Sequence, residues 1–277
     1  RGQLDKDSVV SRGDQIFIAG EMIEIEGRDL QVKLNLCTRV EEEWIRELYP
    51  DDFVETAGAA WDDRSRKVEA RKEKRFRDLV LESKPSGEIP LDEAASLLAE
   101  KVLSGELNLK AWDQSVAQHF ARINLISEAF PEYEIPKVDE DSKRLLLEQI
   151  CAGATSYKQI KDRKVWPIIK EWLPYHQATL LDQLAPERIE IKPGKSVKII
   201  YEEGEKPKLS ALIQHLFGIE KTPTIGQGRI PLVVEILAPN HRPVQVTEDL
   251  AGFWKGSYAG VRTQLRGRYP KHEWPEY

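Results

Sequence analysis

Hydrophobic and polar residues alternate along the first part of the chain with the period of two that is typical of strands. Residues 30–36, Leu-Gln-Val-Lys-Leu-Asn-Leu, show this alternation most strictly. A short helix is predicted at residues 40–48, because three glutamates favour its first turn and Pro50 ends it. The predicted strands span residues 15–19, 22–26, 30–36, 53–61 and 68–81, with turns at residues 27–29 and 62–63.

Strands with one helix between the third and the fourth follow the order of an OB-type barrel, a fold that often holds single-stranded nucleic acid. We therefore predict an OB-like β-barrel domain over residues 1–84. The stretch Lys84-Pro85-Ser86-Gly87 reads as a linker after it.

After Pro90 the apolar residues recur at steps of three and four, which predicts helices. Residues 85–185 are accordingly interpreted as a helical segment. His119 lies among apolar helix positions, and we interpret it as a partly buried core residue rather than a ligand. The predicted helices span residues 91–102, 109–130, 139–150 and 166–173.

The last part of the chain, residues 186–277, is predicted to form a mixed α/β domain, which makes the whole chain α+β. Thr247 is the predicted cap of a long final helix that carries apolar residues from Leu250 to Leu265 and ends at Gly267 and Pro270. The other predicted elements are a hairpin at residues 187–191 and 197–201, a helix at 209–217, and strands at 232–237 and 242–247.

Gly252, Gly256 and Gly260 fall at steps of four in the predicted final helix. Such spacing would form a bare stripe, and we favour a tightly packed neighbouring element over nucleic acid as its contact.

Composition narrows the functional classes. The 277 residues carry a net charge of −6, so any nucleic-acid binding must come from local basic patches. Two cysteines, Cys37 and Cys151, provide neither a disulfide framework nor a four-ligand zinc site. No apolar run approaches the length of a membrane span and no signal peptide is visible, so we expect no membrane partner and a cytoplasmic location.

Two regions are candidates for binding a phosphate backbone. One is the predicted strand at residues 68–81, whose cations could instead protect a solvated edge strand. The other is the tail that follows the final helix, which combines cations with aromatic rings and could equally be a strap across the core. The candidate nucleic-acid-binding residues are Arg71, Lys72, Lys74, Arg75, Arg77, Arg262, Arg266, Arg268, Tyr269, Lys271 and Trp274.

Three stretches imitate nucleotide-binding or helicase motifs. Gly194-Lys195-Ser196 lacks the upstream glycine of a phosphate-binding loop, and Gly226-Gln227-Gly228 precedes a strand instead of following one. Asp92-Glu93-Ala94-Ala95 opens a helix rather than closing a buried strand. His215, His241 and His272 lack ligand spacing. We predict no catalytic residue, no metal site and no cofactor in this chain.

The run at residues 242–275 carries a family resemblance. It reads Arg-Pro-Val-Gln-Val-Thr-Glu-Asp-Leu-Ala-Gly-Phe-Trp-Lys-Gly-Ser-Tyr and continues to Leu-Arg-Gly-Arg-Tyr-Pro-Lys-His-Glu-Trp-Pro. This run closely resembles the C-terminal signature of the HrpB family of bacterial ATP-dependent helicases, which are of the DEAH type. Weaker similarity is visible at Leu184-Ala185-Pro186, Leu216-Phe217-Gly218 and Thr222-Pro223.

The resemblance implies that this chain is the C-terminal portion of a longer motor protein. ATP and Mg²⁺ would then bind to two upstream RecA-like motor domains, and an OB domain would follow the motor as in related helicases. The implied partners are single-stranded RNA or DNA and the motor domains of the same chain.

Two main functional hypotheses remain, and an independent hydrolase is a third and weakest choice. The first is a non-catalytic helicase region that binds single strands through phosphate contacts, braces the motor domains, or both. The alternative is a protein-interaction module that does not bind nucleic acid.

Overall fold

The computed structural model describes residues 2–4, 8, 10, 16–25 and 31–277. The turn predicted at residues 27–29 lies outside these residues. The chain divides into two compact units: Arg1–Leu98 with Ala152–Tyr157, and Ala99–Cys151 with Lys158–Tyr277. Thirteen strands and ten α-helices within the described residues confirm the α+β class. The predicted boundaries after residues 84 and 185 stay a prediction.

The strands of the first unit form two separate sheets of three strands each, ordered β1-β3-β2 and β4-β5-β6. Within the described residues no sheet closes into a barrel, so the OB-like barrel is not confirmed. The elements are β1 (Gly2–Leu4), β2 (Phe17–Ile25), β3 (Gln31–Arg39), α1 (Glu42–Leu48), β4 (Phe53–Asp62), β5 (Lys67–Phe76) and β6 (Leu79–Pro85).

The basic strand is shorter than predicted. The single strand expected at residues 68–81 is wrong, because the chain turns at Arg77, whose φ is +52°, and returns as β6. Since β5 pairs with β4 on one side and with β6 on the other, it is the central strand rather than an edge. Arg77 therefore lies in the turn after β5.

The first unit also contains the start of α2 (Leu91–Leu103) and the segment Ala152–Tyr157. The Glu93 carboxylate accepts a hydrogen bond from the backbone N–H of Ala59 on β4, at 2.6 Å. The Val68 N–H donates to the carbonyl oxygen of Thr155 at 2.8 Å, which ties the start of β5 to this segment.

Helices of the second unit bury one apolar face each. The helix predicted at residues 109–130 begins later, because the Asp113 side chain caps it by accepting from the Ser115 N–H at 2.9 Å. The predictions at residues 139–150 and 166–173 are confirmed with shifted ends, whereas α5 and α7 were not predicted. These helices are α3 (Gln114–Ala129), α4 (Glu140–Cys151), α5 (Tyr157–Ile160), α6 (Trp166–Glu171) and α7 (Tyr175–Leu184).

The second unit also contains a mixed five-stranded sheet, ordered β13-β12-β9-β8-β7, and a separate two-stranded sheet of β10 and β11. The helix predicted at residues 209–217 is wrong over its first half, because residues 208–212 pair with β12 as a parallel strand. The elements are β7 (Arg188–Lys192), β8 (Lys195–Ile200), β9 (Lys208–Leu212), α8 (Ile213–Leu216), β10 (Thr224–Ile225), β11 (Ile230–Pro231), β12 (Val233–Leu237) and β13 (Pro243–Thr247).

The predicted long final helix is two helices, α9 (Leu250–Lys255) and α10 (Tyr258–Arg268). Gly256 breaks the helix with φ −111° and ψ −93°. The cap is Asp249 rather than Thr247, since the Asp249 carboxylate accepts from the Gly252 N–H at 2.9 Å. The helix also continues past Gly267 to Arg268.

The predicted packing against a glycine stripe is wrong. A Cβ on Gly260 would meet no atom within 4 Å, and a Cβ on Gly256 would meet the carbonyl oxygen of Gly252 at 3.1 Å. The stripe does not form, because the break at Gly256 separates these glycines onto two helices.

Aromatic rings form the core between the last two helices and the end of the chain. Trp274 is 8% exposed and its ring meets that of Phe217 edge-on at 6.2 Å. The Tyr277 ring stacks on Trp254 at 4.5 Å. The tail therefore acts as a strap over this aromatic core.

Candidate nucleic-acid interface

The five candidate cations on and after β5 are each paired with a carboxylate. Glu42 is on α1 and Asp52 lies just before β4, so the partners come from several elements of the first unit. The nitrogen-to-oxygen distances are 3.1 Å for Arg71–Glu69, 2.9 Å for Lys72–Glu55, 2.7 Å for Arg75–Glu73 and 2.7 Å for Arg77–Asp52, and Lys74 pairs with Glu42.

The pairing alters the electrostatics of these groups. Hydrogen bonding from Lys74 lowers the pKa of Glu42, and hydrogen bonding from Lys72 lowers the pKa of Glu55. The Glu55 carboxylate in turn raises the pKa of Lys72. A phosphate that approached these cations would compete with a carboxylate already in place, so the strand is a weaker anion site than its sequence indicates.

The second basic region surrounds a polar cleft of about 760 Å³ at the end of α10. Arg262, Arg266 and His272 contribute to its lining. Arg262 is held in place, because its guanidinium donates to the carbonyl oxygen of Trp274 at 3.0 Å and pairs with Glu276 at 2.8 Å.

Arg266, in the lining, and the residues Arg268 and Lys271, which are close to it in sequence, are exposed. None of them forms an ion pair with another residue in the described part of the chain. Arg266 and Arg268 also lie in the last turn of α10, where the helix dipole favours positive charge. These three cations are therefore available to an anionic ligand without first losing a carboxylate partner. We call this group the C-terminal cations.

The two aromatic candidates of the tail differ in accessibility. The Trp274 indole N–H donates to the carbonyl oxygen of Tyr269 at 3.0 Å, and its ring is buried. Stacking on a base would require Trp274 to leave the aromatic core. Tyr269 is half-buried, with its ring 6.3 Å from that of His272.

Within the described ranges, no three histidine, cysteine, aspartate or glutamate side chains lie together as metal ligands would. No described helix combines the length and the hydropathy that a membrane span requires.

Comparison with known proteins shows similarity to one helicase family. The ATP-dependent helicase C-terminal family, HrpB_C, matches residues 146–277. The chain is also 28% identical to the ATP-dependent RNA helicase HrpB of Escherichia coli (strain K12), over 99% of its own length and 34% of that protein. Residues 146–277 thus match the C-terminal family of HrpB helicases, and the whole chain is similar to HrpB. The chain spans about a third of the relative's length.

Two solved HrpB structures share this architecture. The crystal structure of the E. coli DExH-box NTPase HrpB covers 94% of the chain, over 32% of that protein, with a TM-score of 0.65. The crystal structure of the E. coli DEAH/RHA helicase HrpB covers 99% of the chain, over 34% of that protein, with a TM-score of 0.58. Both are 28% identical to the chain.

One feature of the second unit, a buried arginine, was not predicted from the sequence. Arg122, on α3, is 3% exposed and its guanidinium binds three oxygen atoms, on Ala185, Asp182 and Glu187. A single arginine within an apolar helix pattern was the available signal, because a buried arginine requires fixed acceptors. Its partners are about 60 residues away in sequence, so the pattern alone could not identify them.

Proposed function

We propose that this chain is a non-catalytic C-terminal region of an ATP-dependent RNA helicase and binds a single strand of nucleic acid at the C-terminal cations. ATP and Mg²⁺ would act in motor domains outside the chain. The E. coli relative is named as an ATP-dependent RNA helicase, which supports RNA over DNA as the strand.

The observation that carries this proposal is the contrast between the two basic regions. The five candidate cations on and after β5 each have a carboxylate partner. In contrast, Arg266, which lines the polar cleft, and the nearby residues Arg268 and Lys271 have no such partner in the described part of the chain. Affinity for a phosphate backbone comes from cations that neutralise phosphates and release counterions. A cation without a carboxylate partner can neutralise a phosphate without first breaking an ion pair.

The cleft is suited to phosphate contacts rather than to reading bases. Arginine and lysine contacts to phosphate position a strand but carry no sequence information. Three contacts at about 0.7 each give a slope of about 2 for log affinity against log salt on single strands. Binding at the cleft is therefore expected to be weak at physiological salt and to be sensitive to added salt.

The test compares two neutralised variants of the 277-residue chain. One carries Arg266→Gln, Arg268→Gln and Lys271→Gln, and the matched control carries Lys72→Gln, Lys74→Gln and Arg75→Gln. Fluorescence anisotropy with labelled single-stranded oligouridine, over a series of salt concentrations, gives affinity and slope. We expect the first variant to lose most of its affinity and slope, and the control to lose less.

A first variant that binds as the unmodified chain does at every salt concentration would refute phosphate binding at the cleft. If the control variant loses more than the first, the phosphate surface is at β5. Thermal unfolding of both variants identifies any loss that is due to misfolding.

A second candidate function, docking onto the motor domains, is favoured by the apolar surface of α1. No residue of α1 is buried, and Trp44 and Leu48 are 57% and 71% exposed. Large exposed apolar side chains that lie together mark interaction surfaces. The chain spans 34% of its relative, so a motor segment of the same protein is the proposed occupant.

A further inference from the structure

The second unit contains a groove that none of the functions above uses. A cavity of about 630 Å³ and a smaller one of about 310 Å³ share His119, Arg122, Trp166 and Glu187 in their linings. The two cavities therefore form one continuous groove beside α3, α6 and α7. Its larger part has the size of a small-molecule site.

Arg122 fixes two hydrogen-bond acceptors at the rim of this groove. Its guanidinium pairs with Asp182 at 2.6 Å and with Glu187 at 3.3 Å, and it also donates to the carbonyl oxygen of Ala185 at 2.7 Å. The Asp182 and Glu187 side chains are 73% and 72% exposed. A carboxylate accepts several hydrogen bonds, so each group keeps acceptor capacity facing the solvent while its position is held.

The walls of the groove are aromatic and its floor is apolar. The rings of His119 and Trp166 meet edge-on at 5.5 Å, and Tyr175 is 89% exposed. Ile169 and Leu181, in the floor, are each 1% exposed. Burial lowers the pKa of His119 to about 4, so its ring is neutral at neutral pH. Such surfaces favour a planar ring that stacks.

The charges of the groove select a neutral ring over a cation. The two linings together hold three cations, Arg122, Lys170 and Lys198, and three carboxylates, Glu171, Asp182 and Glu187, so the groove carries no net charge. A neutral ligand that offers N–H donors to the carboxylates therefore fits better than a second cation. Guanine presents two adjacent donors, the ring N–H and the exocyclic amino group, whereas uracil presents one ring N–H.

We propose that this groove binds one unstacked nucleobase of a single strand, with guanine preferred, through stacking on its aromatic walls and hydrogen bonds to Asp182 and Glu187. This rests on the proposed function, in that the base belongs to the strand whose phosphates reach the chain. Unstacked bases in single strands are commonly recognised by aromatic stacking and by hydrogen bonds to their edges.

The test uses guanosine, which has no phosphate and therefore does not report on the C-terminal cations. Its titration into the ¹⁵N-labelled chain is followed by the indole N–H signal of Trp166, assigned with a Trp166→Phe variant. We expect a saturable shift with guanosine and a weaker one with uridine. Tyr175→Ala should reduce guanosine affinity about fivefold or more by removing a stacking wall.

Two variants distinguish a loss of base recognition from a loss of folded structure. Glu187→Gln keeps an oxygen for Arg122 but can turn an amino group towards the base, so it should abolish the preference for guanosine over uridine. Tyr49→Ala, which removes an aromatic side chain that is 48% exposed in the first unit, is the control and should change nothing.

Several results overturn the groove proposal while leaving the proposed function standing. One is a Trp166 signal that guanosine leaves unmoved while oligouridine still binds with a salt-dependent affinity. Another is binding of acetyl-arginine amide in place of guanosine, which would make the groove a cation site. Guanosine binding that survives Tyr175→Ala unchanged would locate the base elsewhere. Conversely, the Arg266→Gln, Arg268→Gln, Lys271→Gln variant should lose oligouridine yet keep guanosine.

Discussion

The burial and the partners of a residue in this chain depend more on its surroundings than on its residue type. His119 was interpreted from its apolar neighbours as a partly buried core residue, and it lies half-buried between the rings of Phe120 and Trp166. Lys72 was predicted to contact phosphate, yet it pairs with Glu55 from the neighbouring strand. The first inference needed local periodicity alone. The second depended on cross-strand register, which periodicity does not provide.

The stability of the chain is expected to depend on His119 between pH 7 and pH 5. Burial, then the charge of Arg122, lowers the pKa of His119 from 6.5 to about 4. The imidazole of His119 is therefore protonated below about pH 6.5 in the unfolded chain, but only below about pH 4 in the folded chain. This contribution to stability is complete above pH 6.5 and is lost as the pH falls towards 4, by about 2 kcal/mol at pH 5.

Urea unfolding at pH 7 and pH 5 measures the effect, and His119→Phe is the variant that removes the titrating group. The unmodified chain should lose more stability between these pH values than the variant does. Equal losses in both proteins would mean that the imidazole of His119 is not shielded from water. Other acidic groups titrate in both proteins and cancel in the comparison.

Elements were predicted where one pattern dominated and missed where two overlapped. The strand at residues 232–237 is apolar almost throughout, and β12 forms there. The apolar residues within 208–212 are also compatible with a helix. These residues form a strand because they pair with β12. The final helix has continuous helical spacing, and Gly256 breaks it without altering that spacing. A glycine break cannot be read from apolar periodicity.

Gly260→Ala should stabilise the chain. Gly260 lies within α10, and a Cβ there would meet no atom within 4 Å, so the gain in helix propensity of about 0.5 to 1 kcal/mol is not offset by a clash. Gly194→Ala is the matched control, since it also has open space but adopts φ +73° in the turn between β7 and β8. That substitution should destabilise the folded chain by about 1 kcal/mol, because an alanine residue is strained at a positive φ.

Chemical denaturation of both variants tests the two signs together. A destabilised Gly260→Ala chain would indicate that another surface of the molecule approaches α10 at this point. The original prediction of a packed glycine stripe would then regain support.

At the scale of the whole molecule, the fold class followed from the sequence and the closure of its sheets did not. Alternation predicts which residues form strands, but barrel closure depends on the partner of each edge strand. In the described residues, β4, β5 and β6 form one sheet and β1, β2 and β3 another. The family, in contrast, was recognisable from residues 242–275, because their aromatic and glycine positions form a long and specific run.

At the largest scale, the chain is proposed to dock onto a helicase motor segment, and α1 is the surface proposed for this contact. Trp44→Ser and Leu48→Ser together should weaken association with a separately prepared motor segment about tenfold or more, because buried apolar anchors dominate interface energies. Both side chains are exposed in the chain, so its free energy of unfolding should change by less than about 0.5 kcal/mol. The control pair, Leu145→Ser and Val246→Ser, removes side chains that are 53% and 52% exposed in the second unit. Calorimetric titration of each variant against the motor segment decides the matter. Unchanged affinity for the α1 variant, or an equal loss for the control, would show that the motor does not dock at α1.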